Sequence, residues 1–156
     1  MTDDRTLRIE RTYRAPAAAV FDAWTSEEVM RRWWHTEAAA ETVAAEVDLR
    51  VGGTVRVVMR DPARDVEVGG GGHYTEVDPP TRLAFTWLWD GDTRRTLIEL
   101  DFEETDGATT VRFAHHHLWD EEAVRAHEEG WCQVLDSLGR DLAASRPGSS
   151  GAPAAR

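Results

Sequence analysis

The final third of the chain narrows the choice of fold more than any other segment. Val124, His127, Trp131, Val134, Leu135, Leu138 and Leu142 recur at 3.6-residue spacing and form one apolar stripe. Asp120 is placed to cap its start and Glu121 and Glu122 suit the first turn, which predicts one helix of about 24 residues, roughly 36 Å long. A stripe of that length needs an apolar surface to cover it. Upstream, most apolar residues alternate with period 2, the pattern of a sheet with one apolar face, so sheet and helix must face each other.

The alternation defines the strands. Leu7, Ile9 and Tyr13 share a phase with Arg11, which needs a partner if it points inward. Pro16 can open a short helix carrying Val20, Phe21 and Trp24, and Thr25 or Ser26 can cap a second with Val29, Trp33 and Trp34. Val43, Ala45, Val47 and Leu49 form a strand, Gly52-Gly53 turns the chain, and Val55, Val57 and Met59 return it. A further strand is expected around His73 to Val77, between a turn or bulge at Gly69–Gly72 and the break at Pro79-Pro80. Three more phases follow: Leu83, Phe85, Trp87, Trp89; Ile98, Leu100, Phe102; and Val111, Phe113, His115, His117. The expected fold is α+β, with six or seven antiparallel strands curled around the long helix. Residues 1–144 read as one domain. Residues 145–156, small, polar and proline-rich, read as a disordered tail.

Composition removes several functions. Against 29 Asp and Glu stand 18 basic residues, a net charge of -11, which disfavours a phosphate-backbone partner. Cys132 is the sole cysteine, so neither an intrachain disulfide nor a cysteine metal cluster can form. The opening residues lack a basic start and apolar run, and no stretch approaches the roughly 20 apolar residues that span a bilayer, so a cytoplasmic location is expected. The glycine run lacks the Lys-Ser/Thr of a phosphate loop, and no serine sits in a Gly-x-Ser-x-Gly elbow. In His115–His117 only the first and third share a face of a strand, too few ligands for zinc; His73 or His127 would have to complete the set. No metal and no cofactor is expected.

The positive signal is aromatic. Trp87, Trp89, Phe102, Phe113 and Trp131 carry the inward phase, with Trp34, Met59 and Leu135 adding apolar surface and His73, His115 and His127 adding polar atoms. These eleven residues are the candidate ligand-binding set. The rings either line a cavity or fill the interior, and the sequence leaves both open.

Five fragments in order, RTYRAPAAAVFDAWTSEEVMRRWW, the Gly52-Gly53 pair, GHYTEVDPPTRLAFTWLW, TTVRFAHHHL and HEEGWCQVLDSLGRDL, resemble homologues of the activator of the heat-shock-protein-90 ATPase within the START-like (SRPBCC) superfamily. The resemblance spans about residues 7 to 142 and implies a helix-grip fold enclosing a cavity between sheet and helix. His127, Gly130 and Trp131 match the family's HxxGW. A helix glycine costs about 1 kcal/mol relative to Ala, which predicts close packing at Gly130. His116, His117 and Trp119 depart from the usual pattern. Binding of a small apolar or aromatic molecule is the leading expectation. A chaperone-interacting or stress-response role, suggested by the family name, is the alternative. A polyketide cyclase-like enzyme is third, with His73, His115, Arg11 and Glu76 as its only nameable acids or bases. Self-association, where it occurs, would use a sheet edge or the outer surface.

Overall fold

The computed structural model describes residues 5–145; the tail expected over 145–156 lies, beyond Ser145 itself, outside the described residues. Its elements follow the alternation closely: β1 (Arg5–Tyr13), α1 (Ala17–Thr25), α2 (Glu27–Trp33), β2 (Glu41–Val47), β3 (Thr54–Asp61), β4 (Val66–Asp78), β5 (Arg82–Trp89), β6 (Thr96–Thr105), β7 (Ala108–Leu118) and α3 (Glu121–Ser145). The seven strands make one antiparallel sheet in the order β1-β7-β6-β5-β4-β3-β2, a meander whose last strand returns to pair with the first. α3 packs across the curled inner face against β1, β7 and α2.

Local chemistry explains the helix boundaries. Pro16 precedes α1 and supplies no side-chain cap; the first free N–H, that of Ala17, instead donates to Glu104 Oε1 of β6 at 2.8 Å. Ser26 ends α1 and caps α2, its hydroxyl accepting from the Val29 N–H, while Glu27 and Glu28 lie at the positive end of α2 and Arg31 and Arg32 at the negative end. Asp120 Oδ1 accepts from the Ala123 N–H at 2.7 Å, as its position before α3 predicts. The inward Arg11 has its partner too, with Nε 3.5 Å from Asp136 Oδ1 on α3.

Two local expectations are corrected. The run Gly69–Gly72 is neither turn nor bulge but the middle of β4, paired residue for residue with Val55–Val58 of β3. Glycine is required there by what lies across it: a Cβ on Gly70 would stand 2.8 Å from the Trp87 ring, and one on Gly72 would run into the Thr86 carbonyl. His117 does not share the phase of His115. It adopts φ 71°, the left-handed region, and is exposed, while Leu118 turns inward to pair with Arg5. The register shift between Arg5 and Leu7 on β1 is where that extra residue is absorbed.

Candidate functional site

Most of the inward aromatic residues meet in a closed cluster. Trp24, Trp33, Trp34, Trp87, Phe85 and Phe113 are all sealed from solvent, with Trp34 stacked between Trp33 (centroids 5.4 Å apart) and Trp87 (5.7 Å). Phe113 lies 4.6 Å from Trp131. Offset and edge-on pairs of this kind add about 0.5 to 1.5 kcal/mol each beyond the area they bury.

One space remains open, and it lies to one side of that cluster. A cavity of about 300 Å3 separates the first half of α3 from the β3–β5 part of the sheet. Ala126, His127, Gly130, Trp131 and Val134 form its helical wall, Met59, Val68 and Trp89 the sheet wall, and Trp34, Thr36 and Ala39 the end below α2. The volume sits at the lower limit of about 300 to 1,000 Å3 usual for small-molecule pockets. Gly130 does not mark close packing. A Cβ built there meets nothing within 4 Å, because the residue faces the cavity. The close helix glycine is Gly139, whose Cβ would stand 3.3 Å from the Tyr13 ring.

Of the candidate set, Trp34, Met59, Trp89, His127 and Trp131 line the cavity. Trp87, Phe102, Phe113, His115 and Leu135 are packed behind it in the core. His73 belongs with neither group. It is exposed and lines a groove on the outer face of the sheet with Arg56 and Thr86, because β4 places Tyr74, not His73, inward. Thr36, Ala39, Val68 and Ala126 line the cavity without having stood out in the sequence, and Gly130 and Val134, read there as packing positions of the helix, line it too. Ala126 and Gly130, four apart on the helix, were a readable signal; Val68 lay in a stretch not recognised as strand.

The two inward histidines are fully employed. His115 Nδ1 accepts from the Trp131 indole N–H at 3.1 Å, so its Nε2 carries the proton and donates to Thr96 Oγ1 at 2.7 Å; the threonine hydroxyl in turn donates to the Trp87 carbonyl. Burial first, and the neighbouring His127 and His116 next, push its pKa down to about 3. His127 donates from Nδ1 to the Ala123 carbonyl and accepts at Nε2 from the Trp89 indole, and burial lowers its pKa as well. Both rings are therefore neutral near pH 7, and neither retains a free nitrogen to orient a ligand. Among the described residues, buried polar groups without a partner are Trp24 Nε1, Trp87 Nε1 and the Tyr74 hydroxyl, each a cost of about 1 to 3 kcal/mol.

The residues that could have served as acids or bases are placed elsewhere. Glu76 pairs with Arg82 on the outer face, Arg11 with Asp136, and none of Arg11, His73, Glu76 or His115 lines the cavity. His116 also faces outward, bonding Glu99 Oε1 at 2.7 Å and Thr6 Oγ1 at 3.2 Å. Trp119 lies beneath the Arg94 guanidinium, 3.8 Å from its ring centroid, and packs edge-on against His127. Among the described residues no three His, Cys, Asp or Glu gather as a metal site, and no helix is long and apolar enough to cross a membrane.

The sequence from residue 14 to 143 matches the family model for activator of Hsp90 ATPase homolog 1-like proteins. The AHSA1 protein of Silicibacter pomeroyi is 28% identical, with 91% of this chain and 100% of that one superposed at a TM-score of 0.80. The AHSA1-like protein of Aeromonas hydrophila is 26% identical, covering 90% and 94% at 0.75. Protein CV1439 of Chromobacterium violaceum, 22% identical over 86% and 94% at 0.79, shares the fold. No curated protein matches the sequence.

Proposed function

The chain belongs to the family of activator of Hsp90 ATPase homolog 1-like proteins, and from that premise we propose that it binds a small apolar or aromatic molecule in the cavity between α3 and the sheet. The observation that carries this reading is Gly130. A helix interior normally excludes glycine, which costs about 1 kcal/mol there, and here the missing side chain leaves open space in an otherwise apolar wall. Trp34, Trp89 and Trp131 offer ring faces and edges to a flat molecule, and Met59 adapts to its outline.

Gly130 also provides the test. Replacing it with Phe fills the cavity from the helix side without striking protein atoms near Cβ, so the fold should be retained. Titration of the 15N-labelled protein with indane, a bicyclic hydrocarbon, should move the amides of Ala39, Gly130 and Trp131 in the natural sequence, and Gly130→Phe should weaken binding about tenfold or more. Unperturbed amides around the cavity, or equal binding by the variant, would remove the reading.

A further inference from the structure

Most polar groups that border the cavity are already bonded. The Trp89 indole donates to His127 and the Trp131 indole to His115, and His127 donates in turn to the Ala123 carbonyl. Thr36 Oγ1 accepts from the Ala39 N–H at 3.0 Å. The Trp34 indole N–H is different: it has no acceptor among the described residues, yet it is not enclosed as the orphaned N–H groups of Trp24 and Trp87 are. Trp34 is 2% exposed and borders the cavity, so its nitrogen belongs to the small part of the ring that the open space reaches. The faces of that ring are covered, by Trp33 at 5.4 Å and Trp87 at 5.7 Å between centroids, with Trp24 packed at 5.2 Å. What remains is an edge, and an indole N–H lies in the plane of its ring. The donor therefore points from the edge of Trp34 into the end of the cavity below α2.

We propose that the Trp34 indole N–H is the group that selects the cavity's ligand, and that it takes a neutral carbonyl oxygen carried in the plane of a flat, otherwise apolar ring compound. This rests on the binding reading above and gives it a directional contact. The donor is held still. The Trp34 amide donates to the Met30 carbonyl, its own carbonyl accepts from Thr42 Oγ1 at 2.7 Å, and the stacked rings fix the indole, so little freedom is lost when a ligand arrives. The Trp131 ring is inclined by 60° to that of Trp34 with centroids 5.7 Å apart. A flat molecule lying against Trp131 carries its substituents in its own plane and can bring an oxygen to the Trp34 edge. Among the described residues no Arg, Asp or Glu lines the cavity, so a carboxylate or an ammonium would be buried there without a counter-charge, which costs far more than burying a dipole. Val68 and Val134 offer the rest of the molecule only hydrocarbon, so a second polar group at that side would go unmet.

The test compares 1-indanone, which has a carbonyl, with indane, which lacks it, on the full chain. The Trp34 indole N–H resonance, assigned by through-bond correlation, should move to lower field with the ketone and far less with the hydrocarbon. Trp34→Phe keeps a ring in the stack and removes the donor, so the ratio of ketone to hydrocarbon affinity should fall about five- to tenfold; taking the ratio cancels the change in cavity shape that both compounds feel. A ratio unchanged in the folded variant would overturn the assignment, and the resonance in the natural sequence decides by itself if that variant does not fold. Thr36→Val tests the hydroxyl at the same end: a ratio that falls there and not in Trp34→Phe gives the acceptor to Thr36 and overturns the role of Trp34. Indane-1-carboxylate should bind more weakly than either neutral compound, and tighter binding would overturn the neutral carbonyl as occupant. Binding of indane with the Trp34 signal indifferent to the ketone would overturn this inference alone. Binding of neither neutral compound would overturn it together with the reading on which it rests.

Discussion

The two ends of α3 are built for opposite purposes. Toward the C-terminus, Leu135 and Leu138 are fully buried, Gly139 lets the Tyr13 ring approach, and the Tyr13 hydroxyl donates to the Leu135 carbonyl at 3.0 Å. Arg32 of α2 holds Asp141 with two hydrogen bonds. Toward the N-terminus the helix stands off from the sheet, with Ala126 and Gly130 facing space and His127 bridging to Trp89. One continuous helix thus carries close packing at one end and a cavity at the other. Close packing at one end and a few side-chain bridges at the other, His127 to Trp89 and Trp131 to His115, hold the helix over an opening that is formed by the absence of side chains rather than the absence of helix.

The sharpest way to break this contrast is Leu138→Ala. At a site with no exposure the substitution should cost about 2 to 5 kcal/mol, read as a lowered denaturant midpoint. A loss below 1 kcal/mol would mean that the C-terminal half is not the anchor.

Acid should act at the other end. The unfolded imidazole titrates near 6.5, whereas folded His115 stays neutral down to about 3. Between those values the unfolded chain binds a proton that the folded chain refuses, so stability falls as pH falls, by about 1.4 kcal/mol per unit, and is level above 6.5 for this group. His127, also lowered by burial, adds in the same direction. Asp61, Asp90 and Asp92, held low by hydrogen bonds to Arg64, Arg56 and Arg94, lose their contribution only below about 4, so the interval from 6.5 to 4 reports the histidines. Urea unfolding at several pH values should show this slope, and His115→Gln, which keeps a donor and an acceptor, should flatten it.

The smallest effect compares the two helix glycines directly. Gly130→Ala should stabilise by about 0.5 to 1 kcal/mol, since its Cβ enters open space. Gly139→Ala makes the same backbone gain but presses on the Tyr13 ring, so its thermal midpoint should rise less or fall. Equal shifts would erase the distinction between the two ends.

What could be read from the sequence divides along the same physical line. Alternation revealed the faces of β5, β6 and β7, and 3.6-residue spacing revealed the buried stripe of α3, because both depend on local period. The glycines of β4 carry no side chain and therefore no phase; their place in the sheet follows from Trp87 and Val55–Val58, which meet them only after folding. The outward kink at His117 is likewise set by pairing with β1. At the site, phase placed Trp87, Phe113 and His115 on the inner face, but it cannot measure depth. Those three are sealed behind Trp34 and Trp131, and the cavity runs along smaller residues such as Ala39, Ala126 and Gly130 that composition makes easy to overlook.

The return of β7 to β1 has a consequence for how the protein is made. From β2 to β7 every strand pairs with its neighbour in the chain, so the meander can zip as successive hairpins. β1 is the exception, its Tyr13 opposite Thr109 and its Leu7 opposite His115. It leaves the ribosome about 100 residues ahead of its partner, which at about 5 to 20 residues per second is a wait on the order of 5 to 20 s. For that interval Leu7, Ile9 and Tyr13 have no finished sheet to join, and the apolar face of β1 stays uncovered until β7 has been made.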